Sequence, residues 1–241
     1  MSPGRADDID RLYYLLSDLE RRLGGTRTLD TATGGQDWPS HGVYFFFEPR
    51  ETRSNGRPRV VRVGTHALTT TSRTTLWQRL SQHRGNLRGS NPGGGNHRGS
   101  IFRLHVGAAL LRRNHAPQAM LESWLSKKPQ PQWVAAEAEH ERNVSHYIGA
   151  MPFVWLPVPT KPDGTSERGY LERNCIALLS GAEPASPDWL GLHAVNPAIK
   201  CSGLWNVNHV HEQYRPENLD RLEEYLVALP TTRHAAHAEA R

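Results

Sequence analysis

Apolar residues recur at helical spacing in the first segment. Ile9, Leu12, Tyr13, Leu16, Leu19 and Leu23 share one face of a helix over 8–23, and Gly24-Gly25 ends it. Residues 24–40 are polar and glycine-containing, the pattern of a linker. HGVYFFFE at 41–48 is dense in aromatic and β-branched residues and predicts a buried strand. RVVRVG at 59–64 predicts a second strand, and Asn55-Gly56 with Pro58 places a turn between them, so the pair reads as an antiparallel hairpin. A helix starting at Ser72 or Arg73 runs to Arg84, with Leu76, Trp77 and Leu80 as its apolar side. GNLRGSNPGGGNHRG at 85–99 holds too much glycine for a regular element and reads as a flexible basic loop. SIFRLHV at 100–106 alternates and predicts a strand.

Helices are expected at 117–126 and 134–148, and a short strand from Phe153 to Val158 between prolines. Residues 166–180 predict a helix with Leu171, Cys175, Leu178 and Leu179 on one side and Gly181 at its end. Residues 182–215 are loop-rich, 217–228 predict a last helix, and the tail after Pro230 is expected to be disordered. The pattern describes an α+β chain with a small antiparallel or mixed sheet flanked by helices.

Charge sharpens the picture. Between Glu51 and Glu122 lie 70 positions without an acidic residue, and they hold twelve arginines. A field of one sign on that scale calls for a polyanion, and nucleic acid is the expected one. Arginine far outnumbers lysine, and its planar fork suits phosphates and guanine edges. No apolar run approaches the length of a membrane span, and the acidic start MSPGRADDID lacks the apolar core of a secretory signal, so a cytoplasmic protein is expected. The two cysteines, Cys175 and Cys201, cannot build a disulfide framework or a four-cysteine zinc site. No GK[ST] follows the glycine-rich loop, which excludes a P-loop. Instead, Asn96, His97 and Arg98 make it a candidate clamp on a DNA backbone. His209 and His211 form an HxH pair without a third ligand at fitting spacing, so no zinc site is expected.

The candidate chemistry lies in an ordered set. Gly42-Val43-Tyr44 is on one strand and Arg62-Val63-Gly64 on the next. Arg79 and His83 sit four apart on the following helix, and Glu172 on a later one. Helical spacing puts Arg79 and His83 on one face, with His83 at the edge of the buried stripe. A phenol such as Tyr44 could activate water if nearby positive charge eased loss of its proton. Arg79 could stabilise charge on a phosphate, His83 could relay a proton or hold Tyr44, and Glu172 could bind Mg²⁺ together with phosphate oxygens and water.

In its order of elements and residues, at 41–84 and again near 152–180, the chain resembles the GIY-YIG nuclease superfamily, and its type II restriction endonucleases most of all. The resemblance implies a nuclease domain over 41–230 with an insertion at about 85–151, preceded by a helix and linker over 1–40 and followed by a tail over 231–241. It implies a Mg²⁺- or Mn²⁺-dependent DNA endonuclease acting on duplex DNA, with Tyr44, Arg79, His83 and Glu172 as catalytic residues and Glu172 as the metal ligand. Hydrolysis would leave a 5′ phosphate, and a homodimer would cut both strands. Arg62 replaces the YIG tyrosine; with Arg84, Asn96, His97, Arg98 and Asn206 it forms the expected DNA-binding set. His66 or Tyr170 is a candidate to supply what the missing hydroxyl does. Asp188, Asn206 and Asn208 compete for the asparagine that the family places after the glutamate helix, with Asn206 preferred. The rival expectations are a DNA-binding relative that has lost catalysis, marked by Arg62, and a nuclease for branched or damaged DNA or for RNA.

Overall fold

The computed structural model describes residues 3–69, 71–85, 94–159 and 167–230. Helix α1 (Pro3–Leu23) leads into the short strand β1 (Arg27–Thr28) and then the hairpin β2 (Gly42–Thr52) and β3 (Pro58–Gly64). Next come α2 (Leu76–Arg84), α3 (Ile101–Arg113), α4 (Gln118–Leu125), α5 (Val134–Gly149), β4 (Pro152–Pro157) and α6 (Glu167–Leu179). The chain closes with α7 (Pro197–Ser202) and α8 (Glu217–Val227). The four strands form one antiparallel sheet in the order β1-β4-β2-β3. The hairpin turns where expected: Arg53 N–H donates to the Arg57 carbonyl, and Gly56 has φ +80°.

Each face of the sheet carries its own core. Val43, Phe45, Val63, Val154 and Leu156 pack under α1, α6 and α8, together with Leu12, Leu16, Leu171 and Leu222. α1 is therefore built into the same core as the sheet. The opposite face, with Tyr44, Phe46, Phe153 and Trp155, packs on residues of α2, α3 and α5 such as Leu80, Phe102 and Val144. Alternation along β2 sends successive side chains to opposite layers. Both layers are covered, which is why this strand reads as an unbroken aromatic run.

Three readings are corrected. Residues 101–113 form a helix, not a strand: Ser100 Oγ caps it by accepting the Arg103 N–H, and Phe102, Val106, Ala109 and Leu110 recur at helical spacing. The linker contains β1, which pairs Arg27 with Phe153, and Trp38, which stacks on Trp77 at 5.2 Å between ring centroids. Four of the arginines in the acid-free stretch are answered by the chain's own carboxylates: Arg53 by Asp10 and Glu183, Arg59 by Glu51, Arg98 by Glu137, and Arg103 by Glu141. The basic segment thus buries part of its charge in internal pairs. The centre of the glycine-rich loop (86–93) and the tail (231–241) lie outside the described residues. Among the described residues no helix is long and apolar enough to cross a membrane.

Candidate active site

The site is built at the end of β3. Tyr44 stands directly opposite Gly64 in the hairpin register, and its ring lies over that glycine. A Cβ at Gly64 would sit 2.4 Å from the Tyr44 hydroxyl oxygen, so only glycine leaves room for the phenol. Gly42 is equally constrained, since a Cβ there would sit 2.6 Å from the Leu156 carbonyl oxygen.

Arg62 joins Tyr44 by ordinary alternation. Val63 points into the α1/α6/α8 core, so Arg62, which pairs with Phe46, lies on the Tyr44 face; the extra residue of the β-bulge comes on the far side of it, where Phe47 pairs with Val60. The Arg62 guanidinium lies 4.5 Å over the Phe102 ring and donates to the Trp205 carbonyl at 2.8 Å. Arg62 is buried, and its Nε has no hydrogen-bond partner among the described residues. Burial pushes its pKa below the usual arginine range, against the pull of Tyr44 and Glu172.

α2 supplies His83. Its Nε2 lies 2.8 Å from the Tyr44 oxygen and its Nδ1 2.9 Å from Ser100 Oγ, and the ring is fully buried. Ser100 Oγ also accepts from Arg103 N–H, and its hydroxyl can still either donate to or accept from His83 Nδ1, so donor and acceptor roles along the Tyr44–His83–Ser100 chain follow the tautomer of the ring. Burial, then the charges of Arg79, Arg62 and Arg103, hold His83 well below the ordinary histidine range, so it stays neutral. A buried brace fixes its position: Arg103 donates to the carbonyls of His83 and Arg84 at the end of α2 and pairs with Glu141 of α5. Arg79 is half-buried, donates to Gln82 Oε1 at 3.1 Å, and leaves its Nε unpartnered.

Glu172 comes from the other side of the sheet, on α6, and reaches the same strand end. Its Oε1 accepts the Thr65 N–H at 3.0 Å, one residue past Gly64, and Thr65 Oγ1 donates to the Gly42 carbonyl. Burial raises the carboxyl pKa. Arg62, the Thr65 amide, His209 and Arg79 pull it back without cancelling the rise. A carboxylate with one oxygen tied to an amide, the other unbonded among the described residues, and a charge only partly compensated suits a divalent cation that draws its remaining ligands from phosphate and water. Among the described residues no group of three or more His, Cys, Asp or Glu side chains could hold a metal by itself.

The structure brings Tyr44 and His83 into contact, and Arg62 and Arg79 are the charges shared between that pair and Glu172. Other expected members are placed elsewhere. His97 is buried, stacks on Trp124, and spends both ring nitrogens on Glu141 and the Trp124 carbonyl. Arg98 forks onto Glu137 and donates to the carbonyls of Ser123 and Ser126. Asn96 caps the short turn by accepting the Arg98 N–H. His97 and Arg98 thus brace α4 and α5, whereas Asn96 is exposed. The Asn206 amide takes both the N–H and the carbonyl of Val63, closing the open edge of β3. Arg84 is half-buried, donates to the Ala32 carbonyl and covers Trp77. Tyr170 packs against the α1/α6/α8 core, whereas Asp188 and Asn208 are exposed. His66 lies beside Thr65, buried, with both ring nitrogens unpartnered.

Sequence reasoning did not identify Ser100, Thr65 or Arg103. Ser100 carried a usable signal, a serine standing just before a stretch with helical spacing, which the alternation of SIFRLHV masked.

Comparison with protein families gives one match: a GIY-YIG domain model aligns with residues 3–231. Neither the curated proteins nor the solved structures contain a match.

Proposed function

The chain belongs to the GIY-YIG family, whose members are nucleases that generally use divalent metal ions, and on that premise we propose that it is a Mg²⁺- or Mn²⁺-dependent endonuclease of duplex DNA. One observation carries the reading: a buried Tyr44–His83 hydrogen bond at 2.8 Å, with Arg62 acting electrostatically on both Tyr44 and Glu172. Tyr44, as the phenolate, takes a proton from the attacking water. The Arg62 charge, and His83 with its proton on Nε2, would stabilise that phenolate. Arg62 and Arg79 lie where negative charge builds on the phosphorane, and Arg62 does so from a dry pocket in which a fixed charge acts strongly. Glu172 would hold the metal through its free oxygen, and the bound ion would polarise the phosphate and stabilise the leaving oxygen.

The family tyrosine of the second strand is absent, yet its place is not empty. Regular pairing with Phe46 puts Arg62 on the Tyr44 face of the sheet, which supports an active enzyme over a decayed one. We further propose the finer role of a type II restriction enzyme, working as a homodimer in the cytoplasm beside a protecting methyltransferase, because cutting both strands of a symmetric site needs two such centres. The decisive assay incubates the protein with plasmid and Mg²⁺. Discrete fragments, abolished in Glu172→Ala and restored by no other addition, are expected. Fragments that survive Glu172→Ala would refute the metal assignment. Salt-sensitive DNA binding without cleavage would identify a binding protein instead, and equal cutting of unrelated plasmids, or a preference for forks, would replace the restriction role.

A further inference from the structure

One buried carboxylate has no part in the mechanism above, yet a single residue connects it to the site. Alternation along β2 puts Glu48 on the same face as Tyr44 and Phe46. It is 9% exposed and pairs with no cation among the described residues. Its hydrogen bonds come from neutral donors. Oε2 accepts from the indoles of Trp189 at 3.0 Å and Trp205 at 3.1 Å, and Oε1 accepts the Tyr147 hydroxyl. A carboxylate kept in the interior without a counter-charge costs more than an apolar side chain in the same place. Both tryptophans are buried as well. Gly191 leaves room for the first of them, because a Cβ there would sit 2.2 Å from the Trp189 ring.

Trp205 joins this hub to Arg62. Its N–H donates to the Val61 carbonyl at 2.7 Å, and its own carbonyl accepts from Arg62 Nη1 at 2.8 Å. Asn206 follows and clasps Val63. Trp205 is thus held at its ring by Glu48 and at its backbone by β3. Arg62 forms no ion pair with a carboxylate among the described residues, and its Nε is unbonded. The Trp205 carbonyl and the Phe102 ring, 4.5 Å from the guanidinium, therefore decide where its charge sits. Glu48 itself stands four residues along β2 from Tyr44, about 13 Å away, too far to touch a reacting atom.

We propose that Glu48 is a positioning residue for the cleavage reaction: it fixes the Trp205 indole, and the Trp205 carbonyl in turn fixes the Arg62 guanidinium on the Tyr44 face. The proposal rests on the endonuclease reading, in which Arg62 stabilises the Tyr44 phenolate and the charge on the phosphorane. Without an acceptor at position 48, the Trp205 indole N–H is stranded in a dry core. The ring shifts to find a partner, the carbonyl of the same residue moves with it, and Arg62 follows its acceptor. Glu48 supplies an acceptor for two indoles rather than a charge at the site, so glutamine can replace it. The amide oxygen accepts from both indoles, and the amide nitrogen donates to the Tyr147 oxygen.

The test measures single-turnover cleavage by the full chain, with enzyme in saturating excess over a duplex that carries one cut position mapped with the wild type. Under those conditions the rate constant does not depend on what fraction of the protein is folded. Glu48→Met, similar in size but without an acceptor, is expected to slow cleavage by about 10- to 100-fold, the cost of displacing a charge at the reacting centre by about 1 Å. Glu48→Gln, which keeps the acceptor, is expected to stay within about threefold of the wild type. The Glu48→Met change is then repeated in Arg62→Ala. No guanidinium is left there to displace, so the further loss should be less than about threefold. If Glu48→Met does not fold, Trp205→Phe takes its place in the cycle, because it removes the indole N–H without stranding a donor, and the same pattern is expected. A Glu48→Met enzyme as fast as the wild type, an equal loss in the Arg62→Ala background, or a Glu48→Gln enzyme as slow as Glu48→Met would overturn the proposal. So would an Arg62→Ala enzyme that keeps the wild-type rate. A wild type that cuts no duplex would remove the endonuclease reading itself, a different failure from an active wild type in which the two losses simply multiply.

Discussion

Gly64→Ala is a sharp probe of the site because it changes one methyl group and no charge. The new Cβ would lie 2.4 Å from the Tyr44 oxygen and 2.5 Å from two ring carbons, whereas ordinary contact begins near 3.4 Å. The phenol must retreat by roughly 1 Å. It has little room to do so, since Phe46 meets the ring edge-on at 5.7 Å and Tyr44 is fully buried. A shift of that size would stretch the 2.8 Å bond to His83 beyond hydrogen-bonding range. Displacement of a catalytic group by about 1 Å costs on the order of 100-fold in rate, and overpacking costs about 1–3 kcal/mol of stability. Single-turnover cleavage should therefore fall about 100-fold, while thermal melting shows a folded protein that is modestly destabilised. Tyr44→Phe should lower the rate comparably, and adding Gly64→Ala to it should change little more, because both act through one hydroxyl. A Gly64→Ala enzyme within about threefold of the wild type would refute the claim that the glycine exists to seat the phenol.

Two further outcomes follow from the same geometry. His83 is held well below its usual range, and His66 and His105 are held down to about 4, each first by burial and then by neighbouring arginines. Below about pH 6.5 the unfolded chain takes up protons at these positions and the folded chain does not. Stability should therefore fall as pH drops from about 6.5 toward 4, by up to about 1.4 kcal/mol per pH unit for each histidine. The raised carboxyls of Glu48 and Glu172 act in the opposite direction and offset part of it. Chemical denaturation at pH 7 and pH 5 measures the slope, and a flat or rising profile on acidification would contradict it. Asn206→Ala should cost about 1–3 kcal/mol, since it strands the buried N–H and carbonyl of Val63, and its destabilisation should appear as a lower denaturation midpoint in the absence of DNA.

Much of the fold was legible because local and global preferences agree. α1, the hairpin, α6 and α8 each carry a clean apolar period or a strong turn, and all four form near their expected bounds. The first turn of α3 was misread because SIFRLHV alternates over seven residues. Helical spacing shows only when Ala109 and Leu110 are included, and the Ser100 cap that settles the matter is a single side chain. In the candidate site, residue order singled out Tyr44, His83, Arg79 and Glu172, and the structure puts Tyr44 on His83 and Glu172 on the amide of Thr65. The bulge beyond Arg62 was not legible, because one extra residue in a strand leaves no mark on composition, and it sends Val61 to the Tyr44 face while Val60 and Val63 share the other. The internal pairing of His97 and Arg98 was hidden for a related reason. Their partners, Glu137 and Glu141, lie some forty residues on, and no local pattern announces a long-range ion pair.

Those internal pairs also change what the basic segment implies. Net charge over an acid-free stretch suggests a broad cationic face, yet several of its arginines are spent inside the protein on Glu51, Glu137, Glu141 and Glu183. Arg62 and Arg79 stand apart. Neither forms an ion pair within hydrogen-bonding distance of a carboxylate among the described residues, and each leaves a buried Nε unbonded. An unpaired, buried guanidinium is costly to keep and is relieved when an anion arrives. Its two anionic neighbours here are the Tyr44 oxygen, once deprotonated, and Glu172, reached from opposite layers of the sheet. A phosphate lodged against Arg62 and Arg79 would complete their hydrogen bonding and bring its own charge toward Glu172, where like charge repels unless a cation lies between them. Binding of a diester and of a metal there would thus be coupled by electrostatics, each making room for the other at the end of β3.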